Sequence, residues 1–524
     1  MTSHRSVYDE NSLKKTAPIF QSCDVLSAYR LAAVLRSGAF VLVCLAGSEH
    51  SAVTATAADQ PNVLFIVSDD LNCRLGCYGD RQAATPHIDR LASIGTRFDR
   101  AYCQYPVCNP SRNSFLSGMR PNQTGLPEKW QALRDLVPDV TTLPQLFRQN
   151  GYYTASISKI FHISQWDPPF PTSGWPLGDE RSWDFRINTQ PTSRGPTGKP
   201  PFPRKGQRIE YPGHGGAIDY GMISMEDDWA QEDGQAVLEA IRVLDQPRQQ
   251  PLFLAVGFRR PHAPFVAPEK YFWPYDRDTL VIPPSGDRSE TTPLAFNVHP
   301  PHYGDPEAMR GLKQSYLASV SFLDAMIGRL IEALDHRDML DDTIIVFFSD
   351  HGFALGERGN WHKFTLFEES ARVPLIIHAP GKSQPGSVVR QNVELVDVYP
   401  TLMELCGLSE PTQMLDGESL VPWMKDPASA ESQPAVTQIR RRRDEGESPA
   451  MGYSLRIDDY CYCEWWTEGE TAERLAVELY DHRDDPQEQD NVADQPQYAS
   501  IRSELADRLA PYRQSPRKNV SGTD

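Results

Sequence analysis

NVLFIVSDD, residues 62–70, is an apolar and β-branched run that stops abruptly at a serine and two aspartates. A run of this length without polar alternation reads as a strand buried on both faces. Open α/β sheets take their ligands outside the carboxyl ends of their strands, so the paired carboxylates also indicate where chemistry sits. Three more runs end in the same way. YYTASIS (Tyr152 to Ser158) leads into Lys159 and His162, PLFLAVGF (Pro251 to Phe258) into Arg259, Arg260 and His262, and TIIVFFS (Thr343 to Ser349) into Asp350 and His351. The first and last share one pattern, a strand, then Ser-Asp, then an acid or an imidazole. We expect an α/β fold with a mainly parallel sheet sandwiched by helices, and with these four polar ends meeting at one edge.

Outward from these strands, LKQSYLASVSFLDAMIGRLIEAL (residues 312–334) has apolar side chains at helical spacing. Residues 164–229 are rich in Pro, Gly and Trp (Trp166, Trp175, Trp183) and read as an irregular functional rim. After residue 380 the elements shorten, as in VDVYPTLMELCGL (residues 396–408) and YSLRIDDYCYCEWW (residues 453–466). The expected organisation is a catalytic domain over 58–380 and a smaller α+β C-terminal subdomain over 381–524, ending in a polar tail.

Residues 1–57 read as a secretory signal peptide with an unusually long n-region. Lys14, Lys15, Arg30 and Arg36 precede the apolar run AFVLVCLA (residues 39–46), and Ala55-Thr56-Ala57 offers a cleavage site. The apolar run is too short for a stable membrane anchor, so export is expected. Asn122 and Asn519 begin glycosylation sequons, which matter only in a eukaryotic source. The formal net charge of -18 argues against a nucleic-acid partner, whose phosphates need a basic face. A cationic pocket for a polyanion remains compatible with it. Arg440 to Arg443, four arginines in a row, read as a solvated face, with steering of a polyanionic glycan as the functional alternative.

Asp69, Asp70, Asp350 and His351 supply three carboxylates and an imidazole, a set suited to a hard divalent cation such as Ca2+ or Mg2+. Cys108 opens CNPSRNSFLSGMRPNQTG (residues 108–125). Pro110 at a first helical position puts the thiol just ahead of a helix N-terminus, where an anion is favoured, and Arg112 adds positive charge. A thiol there would be an acidified nucleophile, or it would pair with Cys103 in a disulfide. Cys73 and Cys77 lack zinc spacing and read as buried thiols or one disulfide. Removal of the leader leaves seven cysteines, an odd number.

C-x-P-S-R followed by Ser117-Gly118 resembles the signature of the type I sulfatases, whose cysteine is oxidised after translation to formylglycine. TPHIDRLASIGTRFDRAYCQYPVCNPSR (residues 85–112) and the acidic pairs match that family in order, from about Pro61 to Asn491. LGCYGD, SKIFH, FRRPHAPF, QSYLASVSFLD, SDHGFALGERGNWHKF and MGYSLR are similar to its iduronate 2-sulfatase branch.

The resemblance implies an alkaline-phosphatase-like fold and hydrolysis of O-sulfate esters of sulfated sugars. One hydroxyl of the hydrated aldehyde would attack sulfur and the other would expel sulfate, a last step that a thiolate cannot perform. Asp69, Asp70, Asp350, His351 and residue 108 would hold the metal. Arg112 and Lys159 would stabilise the hydrate and the sulfate charge, His162 would be the base for the second hydroxyl, and His262 and Lys363 would contact sulfate and protonate the leaving oxygen. A formylglycine-generating enzyme is the implied maturation partner.

Two departures stand out: Phe353, where that branch has tryptophan, and the loop LPEKWQALRD (residues 126–135). The competing functions are a phosphodiesterase or phosphonate monoester hydrolase of the same superfamily, and a silent glycan-binding homologue in which Cys108 stays a thiol.

Overall fold

The computed structural model describes residues 60–125, 131–162, 178–190, 192, 206–209, 221–297, 305–429, 432–469 and 471–513. The leader, the start of the 126–135 loop, most of the 164–229 rim and the Asn519 sequon lie outside the described residues.

Eight strands make the large sheet: Asn62–Asp69 (β1), Thr96–Tyr102 (β2), Tyr153–Ser158 (β3), Phe185–Ile187 (β4), Leu252–Pro261 (β5), Thr343–Ser349 (β6), Arg372–His378 (β7) and Ser387–Glu394 (β8). Their order is β8-β2-β7-β6-β1-β5-β3-β4. Only β7 runs antiparallel to its neighbours β2 and β6; the other pairings are parallel. The four apolar runs are the contiguous parallel block β6-β1-β5-β3, so their carboxyl ends share one edge, as expected.

Both faces are covered, which explains the missing alternation. On one face Leu64 and Ile66 of β1 meet Leu312, Tyr316 and Leu323 of a long helix; on the other Val63, Phe65 and Val67 meet Phe115 and Leu116 of the helix Cys108–Ser117 (α1). Phe65 sits 5.2 Å from Phe348 of β6 and 5.6 Å from Phe253 of β5, ring to ring. The long helix, Pro306–Asp335 (α2), starts earlier than its apolar pattern because Asp305 caps it, accepting from the Glu307 N–H at 3.0 Å, with Pro306 at the first position.

The large sheet extends beyond the boundary expected at residue 381. Ser387–Glu394 pairs with β2, and the helix Val398–Cys406 (α3) packs Leu402 and Leu405 into the same core. These segments are apolar on the faces that meet the sheet, so they are buried there. A second, antiparallel sheet follows: Ala435–Arg441 (β9), Ala450–Ile457 (β10), Tyr460–Thr467 (β11) and Arg474–Asp481 (β12). Leu455 and Leu479 on one of its faces meet Leu505 and Leu509 of the helix Ala499–Leu509, while Ile439 and Trp465 on the other cluster with Val107, Leu366 and Phe367. No described helix is long and apolar enough to cross a membrane.

Candidate active site

At the shared edge, β1 delivers Asp69 and Asp70, β6 delivers Asp350 and His351, β3 delivers Lys159 and His162, and β5 delivers His262. The chain turns sharply there: Asp70 has φ 66° and Ser158 φ 59°, left-handed values that a side chain disfavours. Neighbouring groups hold the Asp70 turn. Tyr316 of α2 donates its hydroxyl to the Asp70 carbonyl at 2.8 Å and accepts the Asn72 N–H at 3.0 Å, and the Asp70 N–H donates to Asp350 Oδ1 at 3.3 Å.

Cys108 is the first residue of α1, one step inside the helix instead of just ahead of it, with Val107 as N-cap. Pro110 is tolerated because the first-turn N–H groups have no intrahelical partner. The disulfide alternative does not hold: Cys103 and Cys108 are both free thiols, and Cys103 Sγ faces the Ser370 carbonyl at 3.8 Å. Cys73 and Cys77 are free and partly buried.

Around Cys108 Sγ, Lys363 Nζ lies at 3.1 Å and His351 Nε2 at 3.3 Å, with His162 as a further hydrogen-bond partner. Burial disfavours a thiolate, but Lys159, Lys363 and His351 together outweigh it and hold the thiol well below its ordinary range. His162 is pushed down to about 4, chiefly by burial.

Arg112 is fully buried and links the strand ends. Its Nε donates to Asp350 Oδ2 at 2.8 Å, its Nη1 to the carbonyls of Lys159 and Ile160, and its Nη2 lies 3.5 Å from Asp69 Oδ1. Lys159 Nζ is ion-paired with Asp69.

The donors suit a cation. Ligand atoms of Asp69, Asp70, Cys108 and His351 all lie within 4.8 Å of one another. Asp69 Oδ1 is buried without a hydrogen-bond donor, an acceptor left over for a metal. His351 Nδ1 lies 3.0 Å from the Gly352 carbonyl; a carbonyl only accepts, so the ring proton is there and Nε2 faces the other donors. The crowding of negative charge shows in two shifts. Asp350 is raised to about 7, by burial foremost, and His351 to about 9 because Asp350 overcomes the burial that would lower it. A bound cation would take the place of those protons. Asp350 stands beside the set, its Oδ2 committed to Arg112 and its Oδ1 3.6 Å from His351 Nε2.

Lys363 comes from outside the large sheet. It follows the two-residue strand Trp361–His362, and its Nζ donates to Asp70 Oδ1 at 2.6 Å. Burial would lower it, but three carboxylates, Asp70 foremost, and the Cys108 thiolate raise it well above the usual lysine range. His262 is the most peripheral member, with Nε2 3.9 Å from Asp70 Oδ2 and Nδ1 donating to the Ala263 carbonyl at 2.6 Å. Phe353 lies behind the site, stacked on Tyr316 at 5.5 Å and fully buried, so this departure from the resembled branch falls in packing. Reading by strand ends passed over Tyr316 and Asn72; the apolar face of residues 312–334 held the only signal, a tyrosine where its hydroxyl needs a partner.

A family model described as Sulfatase matches residues 61–408, and one described as the C-terminal part of N-sulphoglucosamine sulphohydrolase matches residues 356–515. The chain is 32% identical to iduronate 2-sulfatase of Homo sapiens, over 81% of this chain and 88% of that one. It is 31% identical to a choline-sulfatase of Rhizobium meliloti, over 83% of each chain. Among solved structures, it superposes on the phosphonate monoester hydrolase of Agrobacterium radiobacter with a TM-score of 0.71 at 22% identity, covering 87% of this chain and 95% of that one. At that identity the likeness concerns the fold alone. Members of the matched family work with a metal ion and a formylglycine, and the buried donors gathered at Cys108 fit both. The chain belongs to the sulfatase family and is a sulfuric ester hydrolase.

Proposed function

We propose that this enzyme removes O-sulfate from sulfated sugars of the glycosaminoglycan type, with Ca2+ as its cation and Cys108 converted to formylglycine by a maturation enzyme. The observation that carries the reading is the position of Cys108 Sγ, in one buried cluster with the ligand atoms of Asp69, Asp70 and His351 and with the Lys363 ammonium. The sulfur stands where an oxygen of the converted side chain would be. The sugar assignment is supported by the similarity to iduronate 2-sulfatase. Mg2+ is the second choice of cation, since a mostly oxygen donor set favours either hard ion. The leader-like residues 1–57 support export.

When present, the cation and the hydrated aldehyde supply a charge-neutralised oxygen nucleophile at residue 108. Asp69, Asp70, Asp350, His351 and residue 108 hold the cation, with Arg112 fixing the direction of the Asp350 carboxylate through Oδ2. Lys159 and Arg112 carry positive charge toward the hydrate and the sulfate. His162, facing residue 108, takes the proton of its second hydroxyl. Lys363 and His262 contact the sulfate oxygens and supply the proton to the departing alcohol.

Two measurements test this. Mass spectrometry of the peptide containing residue 108, from active protein, should find the aldehyde; an intact thiol in fully active protein refutes the mechanism. Oligosaccharides ending in a 2-O-sulfated uronate, choline sulfate and 4-nitrophenyl phosphate, assayed side by side, should rank in that order. Preference for choline sulfate overturns the sugar assignment, and preference for the phosphate ester overturns the sulfatase chemistry.

A further inference from the structure

Lys363 sits in an unusual stretch of backbone. His362 has φ 77° and Phe364 φ 75°, so both neighbours of the lysine are non-glycine residues in the left-handed region. Such a conformation persists only where the surroundings over-determine it. Two carbonyls are held from outside the loop: Asn297 Nδ2 donates to the Lys363 carbonyl at 3.2 Å, and Arg441 Nη2 donates to the Phe364 carbonyl. On the amide side, the Phe364 N–H reaches the Pro106 carbonyl only at 3.4 Å.

Arg441 is the last residue of β9, in the second sheet. Its Nε also donates to the Leu294 carbonyl at 2.9 Å, so a single guanidinium spans the 293–295 turn and the catalytic loop, and it lies 5.7 Å over the ring of Trp465. The arginine run therefore divides. Arg440 pairs with Glu468 and Arg443 with Glu447, while Arg442 is exposed. Arg441 spends its donors on backbone carbonyls. A planar fork can bridge two carbonyls in this way and a lysine ammonium cannot match it.

We infer that Arg441 is a positioning residue for catalysis, the one through which the second sheet fixes the Lys363–Phe364 backbone and so aims the Lys363 ammonium at residue 108. The inference rests on the catalytic role proposed above for Lys363. It assigns the arginine run a purpose other than a solvated face or glycan steering.

The test uses matured, metal-loaded full-length enzyme and a sulfate ester that it hydrolyses, with the variants R441K, R441A, R442A, K363M and R441K/K363M. R441K should fold with a thermal midpoint near that of wild type and lose about tenfold or more in kcat, while R442A stays at wild-type kcat. In the K363M background R441K should change kcat by less than about twofold, because the lysine it aims is gone. Millimolar guanidinium should restore part of the kcat of R441A and none of that of K363M. Wild-type kcat in R441K overturns the inference, as does an equal loss from R441K with and without Lys363. Failure of both Arg441 variants to fold, or a kcat that only tracks the thermal midpoint, makes Arg441 a structural residue and overturns it too. Wild-type kcat in K363M instead refutes the role of Lys363 itself.

Discussion

The ε-ammonium of Lys363 lies 3.1 Å from Cys108 Sγ, and 255 positions of chain separate the two residues. The same ammonium donates to Asp70 Oδ1 at 2.6 Å, so it is held between a carboxylate of the proposed cation site and the side chain proposed to carry the nucleophile. Replacing it with methionine keeps the volume and deletes the charge. K363M should lower kcat by ~10²- to 10⁴-fold, the range for a lost proton donor or charge stabiliser, as measured by steady-state turnover of the preferred sulfate ester.

His262 predicts a dependence on the leaving group. With its Nδ1 tied to Ala263, its Nε2 faces the site. H262Q should cost more than ~100-fold on a sugar O-sulfate, whose alkoxide needs a proton to depart. It should cost less than ~10-fold on 4-nitrophenyl sulfate, whose phenolate leaves unaided. Equal losses on the two esters would remove His262 from the leaving-group step.

Removal of the cation should be visible without any assay. Asp69, Asp70 and the buried charges around them lose their neutralising partner on chelation, so the thermal midpoint should fall and then rise with added Ca2+ in a concentration-dependent way. D70N should blunt that response in differential scanning calorimetry.

Gly257 of β5 lies against the backbone of Lys159. A Cβ at residue 257 would come 2.0 Å from the Lys159 carbonyl oxygen, so the end of β3 would have to move. G257A should cost about 1–3 kcal/mol in denaturant unfolding and tenfold or more in kcat through the displaced Lys159 and Arg112 contacts.

Glu488 predicts an acid-sensitive step in stability. Burial would raise its pKa, but Arg456 at 3.4 Å and His482 at 3.1 Å win, and its carboxyl is lowered to about 2. A folded-state pKa below the unfolded value of 4.5 stabilises the fold above the unfolded pKa, and that contribution disappears as pH falls from 4.5 toward 2. E488Q should lose about 3 kcal/mol at neutral pH. Its unfolding free energy should also fall less steeply than that of wild type over that acid window.

The central strands of the sheet, and the polar residues that meet at their carboxyl ends, could be read from the sequence alone. Four apolar runs ending in Asp, Lys or His were legible because strand burial and chain turning are local properties, written in a few adjacent residues. Asp69, Asp70, Cys108 and His351, whose ligand atoms the fold gathers within 4.8 Å of one another, could be picked out for the same reason, with the signature around Cys108 to anchor them. Tertiary structure decided what depends on partners far away in the chain. It committed Asp350 to Arg112, placed Phe353 behind the site against Tyr316, added Ser387–Glu394 to the large sheet, and turned Arg441 from a surface charge into a clamp on the loop of Lys363. A side chain's hydrogen-bond partner is fixed by which segments the fold brings within about 3 Å, and no local pattern of charge or hydrophobicity encodes that meeting.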